Sequence, residues 1–356
     1  MIRKECFTKE WIETVRNRFH YNDVNLIEKV IRAYSLVEML RESGCPYIWK
    51  GGSCLMLLLG SGLHRLSIDV DIVCPPGTDT EKYLAKFPEY GFTGRETLER
   101  EQRSTSVPKS HEKLHYRVAY LSQTDRTESI LLDILYENAQ YERVETLNVE
   151  SPFIRIDGQS LTVNVPSVDD ILADKLTAFA PNTSGIPYYK NGEPKFVEVI
   201  KQLYDVGRLF DNMTNLSIVK SVFDRIIPIE LSYKHLSSDP APVFKDIRDT
   251  ALCLATRGKA GQGDFDALQK GVNFIRPFMY QGKYHIEDAI TDAAKAAYLA
   301  TVIEKGADAI MRYDAKSSVP SLLPTVSNKL NKLSGILPEA FHYWALISQL
   351  LATDKH

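Results

Sequence analysis

Two aspartates separated by one valine, Asp69 and Asp71, stand among Ile68, Val70 and Ile72 in the stretch SIDVDIVC, and this arrangement restricts the fold more than any other feature of the chain. The β-branched neighbours place the segment in a strand. Taking a carboxylate out of water costs several kcal/mol unless something compensates it. Side-chain direction in a strand repeats every two residues, so both carboxylates share one face, roughly 6–7 Å apart at the backbone. A bound cation would compensate them. Just upstream, KGGSCLMLLLG reads as a strand end, a glycine turn and a short buried helix entered at Ser53. The first N–H groups and the positive dipole end of such a helix suit phosphate oxygens. Ser53 equally fits a plain helix N-cap, a role that does not exclude phosphate binding. Hard carboxylate oxygens beside a phosphate favour Mg²⁺, with Mn²⁺ as a substitute.

Composition limits the remaining choices. A chain of 356 residues, 44% hydrophobic and 25% charged, has an ordinary globular balance and room for two or three domains. Its formal charge of −3 creates no wide positive field, so binding to nucleic acid would depend on a local basic patch. Five scattered cysteines without a C-x-x-C pair suit free thiols in a reducing compartment. The charged N-terminus lacks a signal-peptide core, and nowhere do about 18 apolar residues run together. The expectation is a cytoplasmic protein with no membrane partner.

Residues 22–42 carry apolar side chains at three- and four-residue steps behind Asn22, a possible cap, and predict an amphipathic helix. LHYRVAYLS and SILLDILYE flank the polar QTDRTE as the two strands of a hairpin, and a shorter strand pair follows around PFIRIDGQSLTVNVP. Asp133, alone in LLDIL, has the same desolvation problem as Asp69 and Asp71, and one cluster would solve all three. After Pro166 the pattern turns helical, and from about residue 215 nearly everything reads as helix. The class is α/β in the broad sense (α+β): a mixed sheet with helices, then an all-helical tail.

Several residues admit two readings. Lys175 falls within the apolar stripe of Ile171, Leu172, Leu176 and Phe179, so it either snorkels or faces a phosphate. Asp205 points away from the face formed by Val199, Leu203, Val206 and Phe210, which by pattern alone makes it a solvated aspartate. HEKLH at 111–115 fits the H-E-x-x-H string of zinc proteases. That chemistry needs a helix, whereas the residues from His115 onward alternate like a strand. Arg95, Arg100, Arg103, Lys109, Lys113 and Arg117 are interleaved with acids; a solvated surface is the default and a grip on an RNA acceptor the alternative.

At Gly51, Gly52, Ser53, Arg65, Ser67, Asp69 and Asp71 the sequence resembles the polymerase-β-like nucleotidyltransferases, and most of all their AbiEii/AbiGii-type toxin branch. That branch reads Gly-Gly-small, a leucine-rich helix, then Arg-x-Ser-x-Asp-x-Asp. Its Lys-Leu motif maps onto Lys175-Leu176, and its Tyr-Asp pair onto Tyr204-Asp205. Lys201-Gln202 departs from the Arg-Asp common in the family. The resemblance covers roughly residues 25–212. It implies a nucleotidyltransferase domain over 1–212, a helical domain over 213–356 and a cleft between them. It further implies Asp69 and Asp71 as catalytic ligands of Mg²⁺ with Asp133 joining them or assisting deprotonation, and Gly52 and Ser53 around the phosphates of a nucleoside triphosphate. Lys175 would neutralise that triphosphate and Asp205 position the substrates. The implied role is a toxin of a toxin–antitoxin or phage-defence system, with a tRNA 3′ end as acceptor and a cognate antitoxin as partner. Such an acceptor needs basic residues at the cleft rim, and Arg65, beside the aspartate strand, and Arg117, on the neighbouring strand, are the nearest candidates by sequence. Transfer to a small molecule such as an aminoglycoside, or non-catalytic nucleotide binding, are the alternatives.

Overall fold

The computed structural model describes residues 1–101, 112–318 and 320–353. Its chain forms two compact units: Met1–Ser167 together with Pro277–Gly282, and Val168–Arg276 together with the residues from Lys283 onward. The first break therefore falls after Ser167, where the expected division was at residue 212, and a later segment returns to the first unit.

The first unit opens with helices α1 (Lys9–Phe19) and α2 (Val24–Glu42). Asp23, rather than Asn22, caps α2 by accepting from the Leu26 N–H at 3.1 Å. There follow β1 (Ile48–Lys50), α3 (Gly51–Leu58), β2 (Val70–Cys74), the short α4 (Glu81–Leu84), β3 (Phe92–Glu101), β4 (Glu112–Leu121) and β5 (Thr127–Tyr136). These five strands form one mixed sheet in the order β1-β2-β5-β4-β3. β2 and β5 run parallel, and the other pairs run antiparallel.

β5 shows why the sheet has two different faces. Ile130, Leu132, Ile134 and Tyr136 are buried, while the alternate Leu131, Asp133 and Leu135 are only half-buried. The buried side is covered by α2, whose Tyr34 meets Trp49 of β1 edge to face at 5.7 Å. The other side carries Asp133 between Leu131 and Leu135.

The expected later strand pair is shifted. β6 (Val144–Asn148) pairs with β7 (Thr162–Pro166), and PFIRI lies outside both. Phe153 and Arg155 are engaged elsewhere: the Phe153 carbonyl accepts from the Trp11 indole at 2.8 Å, and the Arg155 carbonyl accepts from the Arg3 N–H at 2.8 Å.

The returning segment Pro277–Gly282 closes this unit. Arg65 and Met279 form an antiparallel bridge, Leu66 N–H donates to the Phe278 carbonyl at 2.7 Å, and Tyr280 N–H donates to the His64 carbonyl at 3.0 Å. The Tyr280 hydroxyl donates to the Leu63 carbonyl at 2.7 Å, and its ring packs on Phe19 and Phe153. Residues 63–66, which lead into the aspartates, are thus held by chain more than two hundred residues downstream.

The second unit contains α5 (Val168–Ala178), the small hairpin of β8 (Tyr189–Lys190) and β9 (Glu193–Pro194), α6 (Phe196–Asn212), α7 (Leu216–Tyr233), α8 (Ala241–Ala255) and α9 (Phe265–Phe274). It ends with α10 (Ile286–Glu304), the short α11 (Leu333–Ile336) and α12 (Pro338–Leu350). From residue 213 on, the described residues form helices and loops with no strand, as expected. α10 buries Ala289, Ala293, Ala294, Ala296, Ala297 and Ala300, small side chains that let α6, α8 and α12 pack close to it.

Candidate active site

The glycine turn and the aspartate strand are built against each other. Gly51 has φ +77°, a left-handed conformation that a side chain disfavours. A Cβ there would lie 2.0 Å from Oδ2 of Asp71, and one on Gly52 would lie 2.5 Å from the Ser67 hydroxyl and 2.7 Å from Nη2 of Arg65. Two glycines are therefore required for the start of α3 to sit on the strand carrying Asp71. The N-cap of α3 is Lys50, with no side-chain cap. Ser53 is thus not the N-cap: its buried hydroxyl accepts from the Trp49 indole N–H at 3.1 Å.

Asp71 and Asp133 are direct partners in the parallel pairing of β2 with β5. Lys50 is the partner of Asp71 on the outer side, and His115 is the partner of Asp133 on the other. Lys50, Asp71, Asp133 and His115 therefore form one rung across the sheet, all on the half-buried face. Adjacent strands are about 4.8 Å apart. Two like charges at that spacing repel unless cations or hydrogen-bond donors flank them. Nδ1 of His115 lies 2.6 Å from Oδ1 of Asp133. Asp69 lies immediately before β2, half-buried and one side-chain repeat from Asp71.

Among the described residues, no three His, Cys, Asp or Glu side chains converge as a preformed metal cage. The donor set still fits Mg²⁺, which is commonly bound by one or two carboxylates together with substrate phosphates and water. The Gly51 cradle keeps the Asp71 carboxylate next to the helix start, where phosphates would bind.

Arg65 departs from expectation. It is 2% exposed, and its Nη1 donates to the Leu66 carbonyl at 3.1 Å, so it supports the glycine turn from within and is not at a rim. Arg117 is exposed in β4, on the same face as His115, and forms a surface pair with Glu96 at 3.2 Å. Arg95 pairs with Glu81. The zinc-protease string is excluded as a helix because His115 lies in β4. His111, Arg103 and Lys109 lie outside the described residues.

In the second unit, Lys175 of α5 and Asp205 of α6 face each other. Nζ is 3.0 Å from Oδ2 of Asp205 and 2.9 Å from Oε1 of Gln202. Lys175 therefore does not snorkel. The Asp205 side chain is 0% exposed, which overturns its reading as a solvated aspartate. The helical wheel assumed one wet face, but α6 is packed by α5, α9 and α10. Gly207, two residues along, makes room for Asp292 of α10, whose Oδ1 accepts from Arg208 at 2.7 Å and Oδ2 from Tyr284 at 2.9 Å. Burial pushes the Asp292 carboxyl up to about 6, against the pull of Arg208.

His115 is the site neighbour that the sequence reading left without a role. The expected turn at 123–128 would set residue 115 opposite residue 136; the turn is tighter, with Leu121 opposite Thr127, and this shift brings His115 level with Asp133.

Within the first unit, a glycine turn opening a helix lies beside carboxylates on two adjacent parallel strands, an arrangement suited to phosphate and divalent-cation chemistry. The family model for the AbiEii toxin, described as a nucleotidyl transferase of type IV toxin–antitoxin systems, matches residues 36–279. The chain belongs to that family and is a nucleotidyltransferase. Its matched span ends at Met279, inside the returning segment. Among solved structures the chain is similar to MenT4, a nucleotidyltransferase toxin from Mycobacterium tuberculosis H37Rv, with 16% identity and a TM-score of 0.44. That match covers 78% of this chain and 97% of the other. A search of curated proteins gave no match. No helix among the described residues is long and apolar enough to cross a membrane.

Proposed function

We propose that this toxin-family enzyme moves a nucleoside monophosphate from a nucleoside triphosphate to a hydroxyl at a tRNA 3′ end, with Mg²⁺ as its ion and a cognate antitoxin as its partner. The rung that sets Asp71 beside Asp133, next to the start of α3, carries this reading. Asp69 and Asp71 hold the divalent ion, and Asp133 completes the oxygen set. When bound, the ion neutralises phosphate charge and stabilises the leaving oxygen. Backbone N–H groups at Gly52 and Ser53, which lack intrahelical partners at a helix start, take the terminal phosphates.

Lys175 is assigned to the charge of the triphosphate. Asp205 and Gln202 hold its ammonium in place, so Asp205 acts through Lys175 rather than on the substrate. The acceptor hydroxyl gives its proton to water as its oxygen bonds to the α-phosphorus, the bond from the α-phosphorus to the bridging oxygen breaks, and pyrophosphate leaves with that electron pair. Arg117 serves the acceptor phosphates. Its pair with Glu96 is exposed and weak, so a phosphate can displace the carboxylate.

The test is incubation of the protein with each labelled triphosphate, Mg²⁺ and total cellular RNA. Label is expected in the tRNA band, with transfer falling steeply between low and physiological salt. Label on a small cationic acceptor and none on RNA would overturn the tRNA assignment; no pyrophosphate with any acceptor would overturn the activity.

A further inference from the structure

His115 has no counterpart in the residues that mark the family resemblance, yet it lies directly on the acidic rung. The antiparallel register of β4 with β5 sets it opposite Asp133, with Nδ1 2.6 Å from Oδ1. The two side chains are only 17% and 22% exposed. Asp133 in turn is the strand partner of Asp71. Lys113 and Arg117 share the strand face with His115, but their partners on β5 are Leu135 and Leu131, so on the β4 side only the imidazole is level with the carboxylates, while Lys50 flanks Asp71 at the other end of the rung.

We infer that His115 is a positioning residue of the transfer reaction. By donating Nδ1–H to Oδ1 it fixes the plane of the Asp133 carboxylate beside Asp71, so that the pair offers preset oxygens to the divalent ion. The inference rests on the reading in which these carboxylates hold that ion. A short hydrogen bond between a shielded imidazole and a carboxylate removes the rotation that an unrestrained Asp side chain would keep. An imidazole suits the position because it donates in its neutral form; a lysine or arginine would place a permanent charge in competition with the ion. Hydrogen-bond partners of ligating groups tune metal sites in this way, and losing one costs about 10–100-fold in affinity or activity.

The experiment compares the intact protein with His115→Ala and His115→Asn, titrating each with Mn²⁺ alone and reading free ion by electron paramagnetic resonance. Asparagine can present an amide N–H close to the place of Nδ1–H. His115→Ala is expected to bind Mn²⁺ about 10-fold or more weakly, and His115→Asn to regain most of the loss. In transfer assays the same order is expected in kcat, with little change in KM for the nucleotide. Equal Mn²⁺ binding by wild type and His115→Ala would overturn the positioning role, as would equal losses in both variants. A wild type that binds Mn²⁺ but labels no acceptor sinks the transfer reading, while the Mn²⁺ comparison still decides for or against His115. A wild type that binds no Mn²⁺ overturns both.

Discussion

Lys175 and Asp205 form an ion pair in which the ammonium sits 3.0 Å from a carboxylate that has no contact with solvent. Such a pair adds little net stability while both partners are present, but removing one takes from a buried charge its ion-pair partner, at a cost of about 3–5 kcal/mol. Lys175→Met is therefore expected to lose activity and to unfold at markedly lower denaturant. The double variant Lys175→Met/Asp205→Leu is expected to recover stability without recovering transfer. Urea unfolding of the single and double variants checks this; wild-type stability in Lys175→Met would contradict the buried pair.

Asp71→Asn is expected to abolish transfer with a melting temperature equal to or slightly above that of wild type, because it relieves repulsion with the adjacent Asp133. Thermal unfolding and pyrophosphate release on the same preparation measure both effects. Turnover near wild type would remove Asp71 from the mechanism.

Gly51→Ala meets two obstacles: a left-handed backbone and a Cβ that would strike the Asp71 carboxylate. The backbone term alone is about 1–3 kcal/mol, and displacement of Asp71 is expected to remove activity as well. Gly44→Ala, where φ is +80° but nothing lies within 4 Å, isolates the backbone term and is expected to leave transfer intact.

A fragment ending at residue 212 is expected not to fold cooperatively, although it contains every strand of the main sheet. It lacks the bridge to Arg65, the bond to Leu66 and the Tyr280 ring on Phe19 and Phe153. Circular dichroism with a denaturant titration tests this. A sharp single transition in the fragment would show the returning segment to be dispensable.

Asp292 imposes a pH dependence of known sign. Its folded carboxyl titrates at about 6, above the ordinary 3.8. Between those values the folded state binds more protons than the unfolded state, so stability falls as pH rises from about 4 to about 6. The difference in melting temperature between wild type and Asp292→Asn is expected to move against wild type across that window and to level off above it. A difference that stays constant with pH would show that Asp292 is not protonated in the folded state at pH 4–6.

The aspartates were legible because a carboxylate in an apolar strand conflicts with its surroundings, and the conflict is visible in sequence at residues 69, 71 and 133. Strand period linked Asp69 with Asp71, although β2 begins only at Val70, and the hairpin that carries Asp133 was readable. Arg65 was misread because charge usually marks a surface, whereas here the guanidinium fills the space behind a residue with no side chain. Asp205 was misread because a wheel describes one helix alone, and α6 is covered by three others. The returning segment had no periodicity: residues 277–282 are held by backbone bonds and one aromatic ring, and neither leaves a pattern in the sequence.

That segment has a consequence for how the molecule comes to exist. The ribosome delivers the aspartate strand early, but the segment that retains it about 200 residues later. Closing so large a loop is an entropic cost met late in folding. At about 5–20 residues per second, the interval lasts about 10–40 seconds. Once residue 133 has been made, the nascent chain carries all the residues of the acidic rung for the rest of that interval without the segment that steadies their approach, so the enzyme's competence is tied to completion of most of its own synthesis.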